Sequence, residues 1–266
     1  MKHVFTKKNR ALLSELVRTD FKLRYQNSIL GYSWSLLRPL LLFLILYLVF
    51  AKFLKFGADI PHYPIYLLLG IVLWNFFAEM TTQSLGSIVA RGDLIRKIRI
   101  PRWIIVLSSS VSALINLGLN LIVVAIFMVF NHVSLMETAP LLLLTIVQIY
   151  VLALGMSLFL SAAFVKYRDI TYIWEVGIQG FFYLTPILYS ISRIKDPVLL
   201  KMLFLNPMAQ AIQDARYALV THETVTVNNV LHNSIFRLLP YILTIVVLII
   251  GVLYFRRESK YFGENI

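Results

Sequence analysis

Residues 24–39 read Arg-Tyr-Gln-Asn-Ser-Ile-Leu-Gly-Tyr-Ser-Trp-Ser-Leu-Leu-Arg-Pro, and this junction decides the fold. Before it lies a basic, amphipathic segment; after it, from Leu40, the chain is almost unbroken hydrocarbon. A chain passing from a helix on the membrane to a helix through it must turn sharply at headgroup level. Gly31 permits that turn, Tyr32 and Trp34 suit the interface, and Arg38-Pro39 stand where the span begins.

Working outward, the composition agrees. The 266 residues are 59% hydrophobic and 14% charged, with a mean hydropathy of +0.78. A soluble domain is nearer about 45–50% apolar and about 25% charged, so an ordinary soluble globule is excluded. Residues 1–30 are polar and basic, so no signal peptide is expected. Without cysteine there are no disulfides or thiolate metal sites, and the compartment stays open. The formal charge of +12 reads as topology and an anionic leaflet rather than nucleic acid.

About 20 apolar residues cross a hydrocarbon core of about 30 Å. Six segments qualify: 36–55, 64–90, 103–130, 139–165, 170–190 and 236–255. The second contains Glu79 and Thr81-Thr82-Gln83-Ser84, so its apolar half is expected to end early. The fifth is short and interrupted by Gly177, Gly180 and Pro186. Six spans put both termini on one side. Placing them in the cytoplasm leaves only Lys52, Lys55, Arg193, Lys195, Lys201, Arg216 and Arg237 outside, of 25 lysines and arginines, as the positive-inside rule requires.

Residues 8–25 carry Leu12, Leu13, Leu16, Val17 and Phe21 at helical spacing, with basic residues largely elsewhere on the wheel; such a helix lies in the interface. Between the last two spans, 198–205 is apolar but too short to cross. Asn206-Pro207 breaks it, and 208–220 reads as a second short helix. Two short helices around a break suggest a re-entrant segment or cap; an ordinary interfacial loop is the plainer alternative.

The chain has no GxxxxGK[ST] phosphate loop, no HExxH and no GxSxG, and its five histidines are scattered. Uphill transport would therefore need another chain or an ion gradient. For a gradient-driven carrier the intramembrane acids are Glu79 and Glu175, with Asp169 at a cytoplasmic end: a thin set. Ser109, Ser112, Asn116 and Asn120 share one face of the third span, as helix glue or a wet path. Trp74, Phe76 and Phe77, with Tyr172, Trp174, Phe181, Phe182 and Tyr183, offer ring faces that suit sugars, although interfacial belts explain the tryptophans equally well. In the loop Arg91-Gly92-Asp93-Leu94-Ile95-Arg96-Lys97-Ile98-Arg99-Ile100-Pro101-Arg102, Asp93 can cap a short helix with Leu94, Ile95 and Ile98 on one face. An apolar tip with basic sides suits a groove on a partner protein.

The junction RYQNSILGYSWSLLRPL, the loop GDLIRKIRIPR, the sequence Lys166-Tyr167-Arg168-Asp169 and the break Leu205-Asn206-Pro207 together resemble the ABC-2 type permeases of bacterial polysaccharide exporters for O-antigen, capsule and teichoic acid. The resemblance spans essentially the whole chain. It implies an all-α integral membrane protein: one transmembrane domain over 1–266 with an interface helix in 1–32, spans one to five in 33–190, an outer gating region in 191–235, and the last span and tail in 236–266. It implies a homodimer with two separate ATP-binding cassette subunits, which hold ATP and Mg, while this chain binds no cofactor and is not an enzyme. It assigns ATPase coupling to Arg91, Gly92, Asp93, Leu94, Ile95, Arg96, Lys97, Ile98 and Pro101 within 91–102, and the interface-helix hinge to Leu30, Gly31, Trp34 and Arg38. The conduit or gate takes Glu79, Trp174, Phe181, Phe182, Tyr183, Asn206 and Pro207, with the first and fifth spans as walls. The substrate expected is a lipid-linked glycopolymer, moved across the bacterial inner or plasma membrane among membrane lipids. An ABC-2 exporter of a small lipid or drug is the alternative, then a gradient-driven carrier. Residues 56–63 leave no room for the large outer domain common in the small-molecule relatives.

Overall fold

The computed structural model describes residues 6–24, 28, 30–55, 60–97, 100–191, 194–231 and 234–265, and among these every regular element is a helix. Helix α1 (Lys7–Arg24) is the amphipathic segment. Helices α2 (Trp34–Tyr47, continued by a π-helical stretch Leu48–Phe53), α3 (Tyr63–Ala90), α5 (Trp103–Phe130), α6 (Leu141–Lys166) and α11 (Ser234–Glu258) supply the five segments long and apolar enough to cross a bilayer. Helix α4 (Gly92–Lys97) joins α3 to α5. Helix α7 (Ile170–Leu184) has 15 residues, about 22 Å at 1.5 Å per residue, and stops at Thr185-Pro186. The fifth expected segment thus contains a helix shorter than a hydrocarbon core, followed by turns and bends over 185–189.

Helix α3 is the hub: 78% of its most apolar stretch is buried within the chain, against 11% for α2 and 22% for α11. It packs on α5 and α6, and α6 packs on α11. Burial all round explains why α3 carries so little amphipathicity. The polar run that follows its apolar half does not end the helix, and α3 runs unbroken to Ala90. The hydroxyls of Thr81, Ser84 and Ser87 are bonded back to the carbonyls of Phe77, Met80 and Ser84, which meets their hydrogen bonds within the helix.

For the two asparagines of the third-span stripe the glue reading holds. Asn116 on α5 donates to Glu79 on α3, and Asn120 reaches the carbonyl of Ser35 at 3.4 Å. Pro39, inside α2, has no N–H to give that carbonyl four residues earlier. Helices α6 and α11 meet at backbone contact: a Cβ on Gly155 would lie 2.7 Å from Leu248 Cα, and one on Gly251 would strike the Gly155 carbonyl. Only glycine fits such a crossing.

The connection before α11 folds as expected. Asp196 caps α8 (Pro197–Leu205), accepting from Val198 N at 2.8 Å. Asn206 ends α8 and caps α9 (Pro207–Leu219), accepting from Met208 N at 3.0 Å. The loop alternative fails for α9, which is almost wholly buried among α3, α6 and α11. A short α10 (Val227–Val230) follows. After α11, a 3-10 turn (Ser259–Tyr261) and α12 (Phe262–Asn265) fold back so that Phe262 is buried against Phe255.

Candidate functional site

The basic end gathers α1, α4, the start of α5 and the tail. Helix α1 packs along α5 with Leu16 buried. Arg91, between α3 and α4, joins three elements: its Nη2 pairs with Asp20 of α1 and its Nη1 donates to Ser108 Oγ of α5 at 3.0 Å. Asp93 stands in the first turn of α4, where a carboxylate suits the helix dipole, while Arg96 and Lys97 occupy the last turn. Asp93 thus lies inside the helix that it was expected to cap. Ile95 turns inward onto the cluster of Ile105, Leu158 and Phe255; Leu94 is half-buried outside that cluster. Ile98 lies outside the described residues. Pro101 opens the turn into α5, its carbonyl accepting from Ile104 N. The tail completes this end, with the Arg102 guanidinium 5.8 Å from the Phe262 ring centroid.

The hinge residues lie together between α1 and α2. Gly31 has φ +48°, a left-handed conformation, and begins a 3-10 turn leading into α2. Leu30 and Trp34 are exposed, at 46% and 43%, as is Arg38. The residues between Arg24 and Ser28 are outside the described set.

The conduit candidates separate. Glu79 accepts from Asn116 and, at 2.8 Å, from Gln83 Nε2, so its carboxylate links α3 to α5. Trp174 and Phe182 turn onto α3, their rings 6.3 Å from Phe77 and 5.9 Å from Trp74; the Trp174 indole N–H is buried without an acceptor among the described residues. Phe181 and Tyr183 are exposed. Helix α7 thus has a packed side at Trp174, Ile178 and Phe182. On another side, Tyr172, Glu175, Gln179 and Tyr183 recur at offsets of three, four and four, all exposed. Those offsets place two phenols, a carboxylate and an amide in one stripe. The sequence reading takes the aromatics and Glu175 singly and misses Gln179; the helical offsets are the signal that finds it. Were α7 within a membrane, such a stripe would need water or another protein against it.

At the opposite end the structure reveals a residue that the sequence reading counts as a loop charge. Arg216 on α9 has no exposed surface. It donates to the carbonyls of Tyr66 at 3.0 Å, Pro186 at 2.6 Å and Ile187 at 2.7 Å, and its guanidinium carbon lies 3.6 Å from the Tyr66 ring centroid. Burial lowers its pKa from the ordinary guanidinium value, opposed by Tyr66 and Tyr63. Arg216 therefore bolts α9 to α3 and to the chain leaving α7, and it carries no weight in the topology count. Gly70 makes room, since a Cβ there would lie 2.5 Å from Arg216 Nη2. Nearby, Gln148 of α6, Gln210 and Asp214 of α9 and Tyr241 of α11 form one hydrogen-bonded cluster. Burial pushes the Asp214 carboxyl up, opposed by the bonds from Gln210 and Tyr241.

A family described as ABC-2 type transporter matches residues 11–220. The chain belongs to the ABC-2 type transporter family. The match takes in most of α1, the Arg91 junction, α7 and the Arg216 bolt. An O-antigen export system permease protein RfbA of Klebsiella pneumoniae is 30% identical over 255 residues, covering 95% of this chain and 94% of the relative. A protein of the same name from Myxococcus xanthus is 32% identical over 206 residues, covering 75% and 76%. The resemblance to ABC-2 permeases of polysaccharide exporters is thereby borne out. Within that family the chain is a membrane-embedded transporter subunit.

Proposed function

We propose that two copies of this chain, each crossing the membrane six times with both termini in the cytoplasm, assemble with two separate ATPase subunits to export a lipid-linked cell-surface polysaccharide across the bacterial cell membrane. The carrying observation is the exposed stripe Tyr172, Glu175, Gln179 and Tyr183 on α7. In a single copy it would face lipid, where a carboxylate and an amide are costly. Set against a second copy, beside the mostly unburied α2, it becomes the wall of a wet path whose rings and hydrogen-bonding groups suit a glycan. The kinship with O-antigen export permeases supports the substrate class. In this reading α7 and the turns behind it complete the sixth crossing.

Coupling in this reading runs through Arg91. An ATPase seated on α4 moves Arg91, which holds both α1 and α5. Helix α1 then swings about Gly31 and carries α2 with it, while α8 and α9 close the outer end. The test replaces Glu175 and Gln179 with leucine and measures surface polysaccharide in cells lacking the native copy, alongside capture of the complex. The reading expects export to fall while an ATPase still co-purifies. Undiminished export refutes the conduit, and a wild-type chain that captures no ATPase refutes the exporter.

A further inference from the structure

Away from α7, a cavity of about 740 Å³ opens between α6, α9 and α11 at the Arg216 end. Helices α6 and α11 touch at Gly155 and Gly251; nearer this end, Leu144 and Val147 on one and Tyr241 and Ile245 on the other line the cavity instead. Its two halves differ. The outer part of the α6 wall is aliphatic and open to the surroundings, with Leu144 67% and Val147 57% exposed, while the polar side chains of Thr145, Gln148 and Thr244 sit deeper and are buried. The α9 side and the chain up to α10 are polar: Asp214, Tyr217, His222, Thr226, Asn228 and Asn229. Such a site fits an amphiphile with its chain along α6 and its head under the loop, and the volume lies within the usual range for ligand sites of about 300–1,000 Å³.

The charge identifies the head. Among the described residues Asp214 is the one acid that lines the cavity, and no lysine or arginine does. Its bonds from Gln210, and from Tyr241 at 3.1 Å, go to Oδ2, which leaves Oδ1 for a ligand donor. Tyr217 and His222 stack with centroids 4.7 Å apart, and Thr138 holds the imidazole at 3.1 Å, so the ring wall is braced. The geometry points to a lateral lipid site that takes a phospholipid with a primary ammonium head: Asp214 receives the ammonium, and the threonine, asparagine and tyrosine groups face the phosphodiester. An anionic head with no ammonium meets the Asp214 carboxyl and no lysine or arginine among the described lining residues, which is unfavourable in a desolvated site. The bound lipid wedges α6 from α11 beneath α9, the helix that Arg216 bolts to the exit of α7. The leaflet that supplies it rests on the orientation proposed above; the binding does not.

The test is native mass spectrometry of the delipidated protein in detergent, titrated with phosphatidylethanolamine, phosphatidylglycerol or a glucosyl diacylglycerol of the same acyl chains. Micelles are indifferent to orientation and to export, so failure here indicts this site alone. Phosphatidylethanolamine is expected to be retained about tenfold better than phosphatidylglycerol, the scale of one hydrogen bond to a charged group. Asp214→Asn is expected to erase that preference. Val147→Trp, a change on an exposed wall that spares the fold, is expected to lower retention of phosphatidylethanolamine. Equal retention of the two phospholipids overturns the proposal, as does a preference that survives both variants. A glucosyl lipid held as tightly as phosphatidylethanolamine overturns it in favour of a polyol site.

Discussion

Gly70→Ala is expected to reverse its effect according to what stands at position 216. In the wild-type chain the new methyl group would lie 2.5 Å from Arg216 Nη2 and 3.3 Å from Cζ. Relief to an ordinary contact requires the guanidinium to retreat by about 1 Å, since heavy atoms pack at about 3.5–4.0 Å. That retreat breaks the 2.7 Å bond from Nη2 to the Ile187 carbonyl. One lost bond to a charged group costs about 1.5–3 kcal/mol, and residual crowding adds to it, so about 2–4 kcal/mol is expected. In an Arg216→Met background no guanidinium is there to strike, and alanine is the better helix former by up to about 1 kcal/mol. Gly70→Ala should then be neutral or stabilising. Arg216→Met alone leaves the Pro186 and Ile187 carbonyls without this donor, at about 1–3 kcal/mol each, partly offset because no charge is then buried. Thermal unfolding of all four proteins in one detergent closes the double-mutant cycle. Equal costs of Gly70→Ala in both backgrounds would refute the bolt.

Four further outcomes follow from the basic end and the hinge. Gly31→Ala meets no neighbour, yet forces a left-handed φ worth about 1–2 kcal/mol, so export should fall while Gly31→Asn, which tolerates that region better, retains more; equal export from both contradicts the hinge. Asp20→Asn should leave ATPase capture intact but lower substrate-stimulated ATP hydrolysis, because the α1 link is cut while α4 remains; Leu94→Asp should weaken capture itself. Phe262→Ala should lower thermal stability by about 3 kcal/mol, because the ring is only 1% exposed and packs on Phe255; an unchanged melting midpoint would show that the tail is not docked.

The apolar spans, the Asn206-Pro207 break and the Gly31 turn are legible in the sequence because each has a local cause: hydrocarbon length, a cap with a fixed φ, and a left-handed residue. The Arg216 bolt has none. Its partners are carbonyls at Tyr66, Pro186 and Ile187, and any residue supplies a carbonyl, so nothing in the chain marks them in advance. Gly70 looks like filler in an apolar run for the same reason. Glu79 draws attention as a lone acid, while Asn116 reads only as part of its own stripe; the pairing needs the register of two helices. Spacing alone groups Ile95 with Leu94, and a six-residue helix can roll that face inward onto α5 and α6.

The central claim, that the α7 stripes of two copies face one conduit, is tested most directly by Gln179→Cys in this cysteine-free chain, treated in cells with a short bismaleimide. The account predicts a covalent dimer and a block of polysaccharide export that appears only with the bifunctional reagent. A chain that stays monomeric while the introduced thiol is fully modified, with export unaffected, would contradict it.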